Sequence, residues 1–103
     1  MITIIARMKF KDGKEDEALS KVKTMAEAVA ANEPGAIAYL VHRNQKDPSE
    51  IIFFELYEDA AASEAHGKTA HMAAMRESFA EIFDPATFKV EILERVGGHL
   101  KAG

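Results

Sequence analysis

EIIFFELY, residues 50–57, is apolar on both of its faces. At a period of two, Ile51 and Phe53 point one way, while Ile52, Phe54 and Leu56 point the other. A strand of this kind belongs in the middle of a sheet and needs apolar cover above and below. The segments around it must supply both covers.

Upstream, AIAYLVHR (36–43) reads as a second strand, joined to the first through Asn44-Gln45-Lys46-Asp47-Pro48-Ser49, where Pro48 fixes the turn backbone. Residues 2–10 alternate as well. Ile2, Ile4, Ala6, Met8 and Phe10 share one side, and Thr3, Ile5, Arg7 and Lys9 the other. Between these strands Ala18, Val22, Met25 and Val29 recur at helical spacing, with Leu19 and Ala26 beside them. Asp12 offers an N-cap acid with Glu15 three residues on, and Asn32-Glu33-Pro34-Gly35 stops the helix. Met25 reads as core filler. Downstream, Asp59 caps a short helix through His66, Gly67 interrupts it, and Thr69 caps the next. That helix turns Met72, Met75, Phe79 and Phe83 inward and ends at Asp84-Pro85. FKVEILERV (88–96) alternates as an edge strand, and residues 97–103 form a short polar tail.

The order is β-α-β-β-α-β, the ferredoxin-like α+β pattern, in a single domain over residues 1–96. Both helices then lie on one face of a four-stranded sheet. The other face keeps an apolar patch on the order of several hundred Å2, more than a soluble monomer usually exposes. A homodimer in which two sheets pack face to face, a dimeric α+β barrel, is the expected remedy.

The 103 residues carry a net charge of −4, and their 13 basic residues are scattered among 17 acids, which argues against nucleic acid. No apolar run approaches the roughly 20 residues of a membrane span, and MITIIARMKF reads as a strand, not a signal peptide. The absence of cysteine removes disulfides, thiol nucleophiles and thiolate metal sites, and suits a reducing cytoplasm.

EAHGKTAHMAAMRESF (64–79) holds two of the four histidines, His66 and His71. Five residues apart, they would sit about 140° apart around a continuous helix, which misses the i, i+4 arrangement of helical zinc sites. Even if Gly67 lets the rings converge, a third ligand must come from Glu55 or His42. The expectation is therefore no metal and no cofactor. As a base, a histidine beside a carboxylate is better suited, since its ordinary pKa lies near neutrality. Glu55, inside an apolar strand, should have a partner or a raised pKa. Structurally, it would bond a helix-end amide or a histidine and lock the second helix to the sheet.

Tyr39 and Tyr57 could line a pocket or simply pack with a wet hydroxyl. Arg7 could hold an anion or pair with a glutamate. His42 suits a solvated edge, and His99 has no role. Gly13, Gly35 and Gly67 read as turn and cap residues.

Over residues 2–96 the chain resembles the antibiotic biosynthesis monooxygenase family. The resemblance rests on Pro34-Gly35, Tyr39 and Arg43, Phe54-Glu55-Leu56-Tyr57, Glu58-Asp59, Ala65-His66 and His71, and on the start IIARMKFKDGKEDEAL. It implies a ferredoxin-like homodimer with a small pocket between sheet and helices in each subunit. Family activities include cofactor-independent oxygenation of polyphenols and quinols, haem degradation, and isomerisation of a phosphorylated autoinducer. The haem-degrading branch relies on a tryptophan, which this chain lacks. Relatives often carry tryptophan where Tyr57 stands and leucine where Gly67 stands.

Three readings follow. In the first, His71 or His66, oriented by Glu55, deprotonates a small phenol or quinol that then reacts with O2 in a pocket lined by Tyr39, Tyr57, Met72, Met75 and Phe79, with Arg7 available to an anionic group. In the second, Lys68 and Arg76 hold a phosphorylated carbonyl compound for isomerisation. In the third, the His–Glu set is structural and the dimer is a binding or stress-response module.

Overall fold

A computed structural model describes residues 1–101. The elements run β1 (Ile2–Phe10), α1 (Glu15–Asn32), β2 (Ala36–Arg43), β3 (Glu50–Tyr57), α2 (Ala60–Gly67), α3 (Ala70–Ile82) and β4 (Phe83–Leu93). All neighbours in the sheet are antiparallel, in the order β2-β3-β1-β4. This is the ferredoxin-like fold, with its second helix in two pieces.

β3 is central, as its two apolar faces require. Ile51 and Phe53 join Ala6 and Met8 of β1 beneath Ala18 and Val22 of α1 and Ile82 of α3. The expected inward stripe of α1, Ala18, Val22, Met25 and Val29, is buried throughout. Each large core side chain contributes about 1.5–3 kcal/mol by leaving water. The break before α3 also follows the sequence. Asp59 accepts from the Ala62 N–H at 2.8 Å, and Thr69 caps α3 by accepting from the Met72 N–H at 3.3 Å.

Three local expectations are corrected. Asp12 is not the cap of α1: Lys14 occupies that position and makes no side-chain cap bond. Glu15, Asp16 and Glu17 fill the first turn and complement the helix dipole instead. Phe83 is fully buried, but from β4, because α3 stops at Ile82 and the strand starts without a loop. The last strand therefore spans 83–93, not 88–96. Its pairing with β1 jumps between Arg7 and Lys9, from Lys89 to Asp84. Pro85, which has no N–H to give, sits in that bulge, and the Thr87 hydroxyl accepts the Lys9 N–H at 2.9 Å.

The sheet's other face carries half-buried Ile5, Ile52 and Phe54 with exposed Leu40 and Leu93. Phe88, Val90 and Ile92 of edge strand β4 are exposed too. Within the proposed tail, residues 97–103, Ala102 and Gly103 lie outside the described residues. No helix among the described residues is long and apolar enough to cross a membrane.

Candidate functional site

Three elements end at one place beside β2 and β3. α1 ends at Asn32, and Glu33 follows as its C-cap, with its backbone N–H bound to the Val29 carbonyl. His66 lies in the last turn of α2 and His71 in the first turn of α3. Because the helix is broken at Lys68-Thr69, the two rings no longer share one axis. They converge to 6.2 Å between centroids.

The Glu33 carboxylate holds both. Its two oxygens each lie 2.9 Å from His66 Nδ1, and Oε2 lies 2.5 Å from His71 Nε2. The carboxylate is buried, 7% exposed, with His66 at 9% and His71 at 16%. An ionised carboxylate only accepts, so each ring donates an N–H to it. That leaves Nε2 of His66 and Nδ1 of His71 as the nitrogens with a free lone pair. The three ligand-type atoms lie within 4.8 Å of one another, close enough to hold a metal ion.

Glu33 was legible in the sequence only as part of a helix stop. One signal could have singled it out. A carboxylate at the negative end of an 18-residue helix that has no basic residue in its last turn needs a partner from elsewhere.

Glu55 does not orient either histidine. It faces the same side of the sheet, where its Oε1 accepts the Tyr57 hydroxyl at 2.6 Å. Burial pushes the Glu55 carboxyl above its ordinary value, against the opposing pull of the Tyr57 bond and of His66, while Glu33 adds to the rise. Desolvation and the neighbouring carboxylates push both tyrosine hydroxyls upward too, so Tyr39 and Tyr57 stay neutral donors. The rings of Tyr39 and Tyr57 flank His66, with centroids 5.4 and 5.5 Å away. These contacts fix the first imidazole from the sheet side.

His71 faces a groove of about 300 Å3 between α1 and α3, lined also by Lys21, Thr24, Met25, Ala28 and Met75. The groove lies between the helices rather than between helices and sheet. Of the expected pocket residues, only Met75 lines it. Met72 is half-buried at the start of α3. Phe79 is eight residues beyond His71, about 12 Å along the helix, and packs on Phe83 and Phe88. Arg7 lies on the opposite face of the sheet, where it pairs with Glu50 and Glu91, each at 3.7 Å. Lys68 and Arg76 are exposed and do not line the groove. A second hollow, of about 460 Å3, surrounds Asp12, Glu15 and Arg43 at the far end of β1 and includes none of these side chains.

Several shared motif positions prove architectural. Arg43 donates from Nε to the Pro48 carbonyl at 2.7 Å, pairs with Glu15 and covers the Phe10 ring. Gly35 has an ordinary backbone, but α2 passes so close that a Cβ there would lie 2.6 Å from Ala62 Cβ. Gly13, at φ +78°, is a genuine turn glycine.

The family model for antibiotic biosynthesis monooxygenase matches residues 1–78. An uncharacterised protein of Synechocystis is 26% identical over 90 residues, 86% of this chain and 60% of that one. The chain thus spans about 60% of the length of that curated relative. Among solved structures, a candidate antibiotic biosynthesis monooxygenase from Caulobacter crescentus is 26% identical with a TM-score of 0.86, over 93% of this chain and 90% of that one. A second, from Bacteroides thetaiotaomicron, has a TM-score of 0.87 at 19% identity over 99% and 95% of the two chains, a likeness of fold.

Proposed function

Because the chain belongs to the antibiotic biosynthesis monooxygenase family, we propose that it oxygenates a small phenol or quinol with O2, using His71 as the base and no cofactor. Glu33 takes the orienting role that the sequence had suggested for Glu55. With His71 Nε2–H held by the carboxylate, Nδ1 accepts the phenolic proton, and Glu33 stabilises the imidazolium that results. The phenolate passes an electron to O2, and the radical pair joins to form a C–O bond. The O–O bond then breaks, leaving one oxygen on the ring and the other as water. A quinol so becomes a hydroxyquinone, and all four electrons come from the substrate. Lys21, on the groove wall, offers a cation to the phenolate. The groove positions the two partners.

The observation that carries this reading is the 2.5 Å contact between Glu33 and His71 at the groove wall. The test is oxygen uptake with reactive quinols in air, corrected for the spontaneous rate. His71→Ala should abolish the protein-dependent uptake. Glu33→Gln, which leaves the base itself in place, should lower it by less than the roughly 10²–10⁴-fold that a positioned base contributes. Uptake unchanged in His71→Ala refutes the role. The exposure of Lys68 and Arg76 speaks against the isomerase reading. The binding-module reading would be favoured by Glu55 and His66 bonded to backbone with no cavity beside them; their side chains bond Tyr57 and Glu33 instead.

The working unit in this reading is a homodimer in the cytoplasm, with Ile5, Leu40, Ile52 and Phe54 of one sheet against those of a second copy. Phe54→Lys should shift the protein to monomer in light-scattering chromatography. A wild-type monomer at micromolar concentration refutes the pairing.

A further inference from the structure

Base catalysis at His71 calls on one carboxylate, yet two buried carboxyls stand at this place. Two carboxyls, Glu33 and Glu55, are buried beside His66, and among the described residues neither forms an ion pair with a lysine or arginine. Glu33 also stands at the negative end of α1. What surrounds it is two imidazoles and two tyrosine rings. Such a site attracts a cation and supplies nitrogen and oxygen ligands for one.

We propose that Glu33, His66 and His71 form a binding site for a divalent transition-metal ion of the zinc and cobalt type. Two imidazoles and one carboxylate suit these ions and not Mg2+ or Ca2+, which take oxygen ligands. The three side chains come from three separate elements and bring Nδ1, Nε2 and a carboxylate oxygen to within 4.8 Å of one another. Ligand atoms around a metal with bonds of about 2.0–2.1 Å stand roughly 3.0–3.4 Å apart. The carboxylate contacts here are 2.5 and 2.9 Å and all three ligand atoms lie within 4.8 Å, so binding opens the carboxylate contacts by up to about 0.9 Å as the ion replaces the two shared protons. The flanking Tyr39 and Tyr57 rings hold His66 in place for this. The groove beside His71 gives an entry path and room for a water as fourth ligand.

The site bears on the proposed reaction without depending on it. A metal on Nε2 of His71 moves the ring proton to Nδ1, turning the proposed base from acceptor to donor. Metal binding and base catalysis therefore exclude one another.

The experiment uses the full chain, free of any affinity tag and stripped with EDTA. ZnCl2, CoCl2 and MgCl2 are titrated by calorimetry, with thermal unfolding and the visible d–d absorption of Co2+ in parallel. The expected result is one Zn2+ or Co2+ per chain, a Tm raised by more than about 5 °C at a hundredfold excess over Kd, and no response to Mg2+. Glu33→Gln, which conserves volume, and His71→Ala should each weaken binding at least about tenfold. The surface double variant His42→Ala/His99→Ala should bind as the wild type does. No response of the wild type to Zn2+ or Co2+ overturns the assignment, as does one that Mg2+ reproduces or that survives Glu33→Gln. Oxygen uptake separates this inference from the proposed function. Uptake without metal binding removes the metal site only, and metal binding without uptake by the stripped protein removes the monooxygenase reading only.

Discussion

Replacing Gly35 by alanine should destabilise the protein through a single contact. The added Cβ would lie 2.6 Å from Ala62 Cβ, whereas carbon atoms rest at roughly 3.5–4.0 Å, so β2 and α2 must separate by about 1 Å. Neither side is free to yield. The Gly35 carbonyl accepts the Glu58 N–H at 2.9 Å, and Ala36 already pairs with Tyr57 in the sheet. α2 is held by its Asp59 cap and by His66 against Glu33. Overpacking of this kind costs about 1–3 kcal/mol. The lost flexibility of the unfolded chain returns about 0.4–1 kcal/mol, because Gly35 does not occupy the left-handed region. A net loss of about 1–2 kcal/mol should lower Tm by roughly 5–15 °C in a domain of this size. Urea unfolding at fixed protein concentration measures it, since any dimerisation would couple stability to concentration. Ala62→Gly alone should cost about 0.5–1 kcal/mol of helix propensity, yet in its presence Gly35→Ala should become nearly harmless. A coupling near zero in the double-mutant cycle, or an unchanged midpoint for Gly35→Ala, would refute the close-approach argument.

Three further outcomes follow from the same geometry. Gly67→Ala should stabilise by about 0.4–1 kcal/mol, because Gly67 ends α2 with open space around it and no positive φ; urea midpoints will show it. Tyr57→Phe removes the 2.6 Å donor to the buried Glu55 carboxyl and should cost about 1–3 kcal/mol, measured in the same way. The Glu55 pKa is raised in the folded state, so the native protein holds that proton longer than the unfolded chain does. Its contribution is therefore fully present below about pH 4.5 and is lost as pH rises through the folded value. Glu55→Gln should flatten that part of a stability-versus-pH curve; an unchanged slope would show that burial does not perturb the carboxyl.

Periodicity and caps, which act over three or four residues, carried most of the fold. The alternation in β1, the two-faced apolar β3, the buried stripe of α1 and the Asp59 and Thr69 caps are all local patterns, and each appears where the sequence put it. Local reasoning erred where the same signal had two uses. Asp84-Pro85 can end a helix, or it can sit in a bulge one residue inside a strand, and only pairing with Phe10 and Lys9 selects the second.

The candidate site divides along the same line. His66 and His71 were conspicuous from residue type and spacing alone, and so was Glu55 as a carboxyl in an apolar strand. Their partners were not. Glu33 meets the histidines across separations of 33 and 38 residues, and it does so because α1 ends where the break at Lys68-Thr69 turns α3 away from α2. No pattern within a helix or strand encodes the angle between two helices. That angle is settled by how their buried faces pack on the sheet, so only the tertiary structure could decide which carboxylate the imidazoles share.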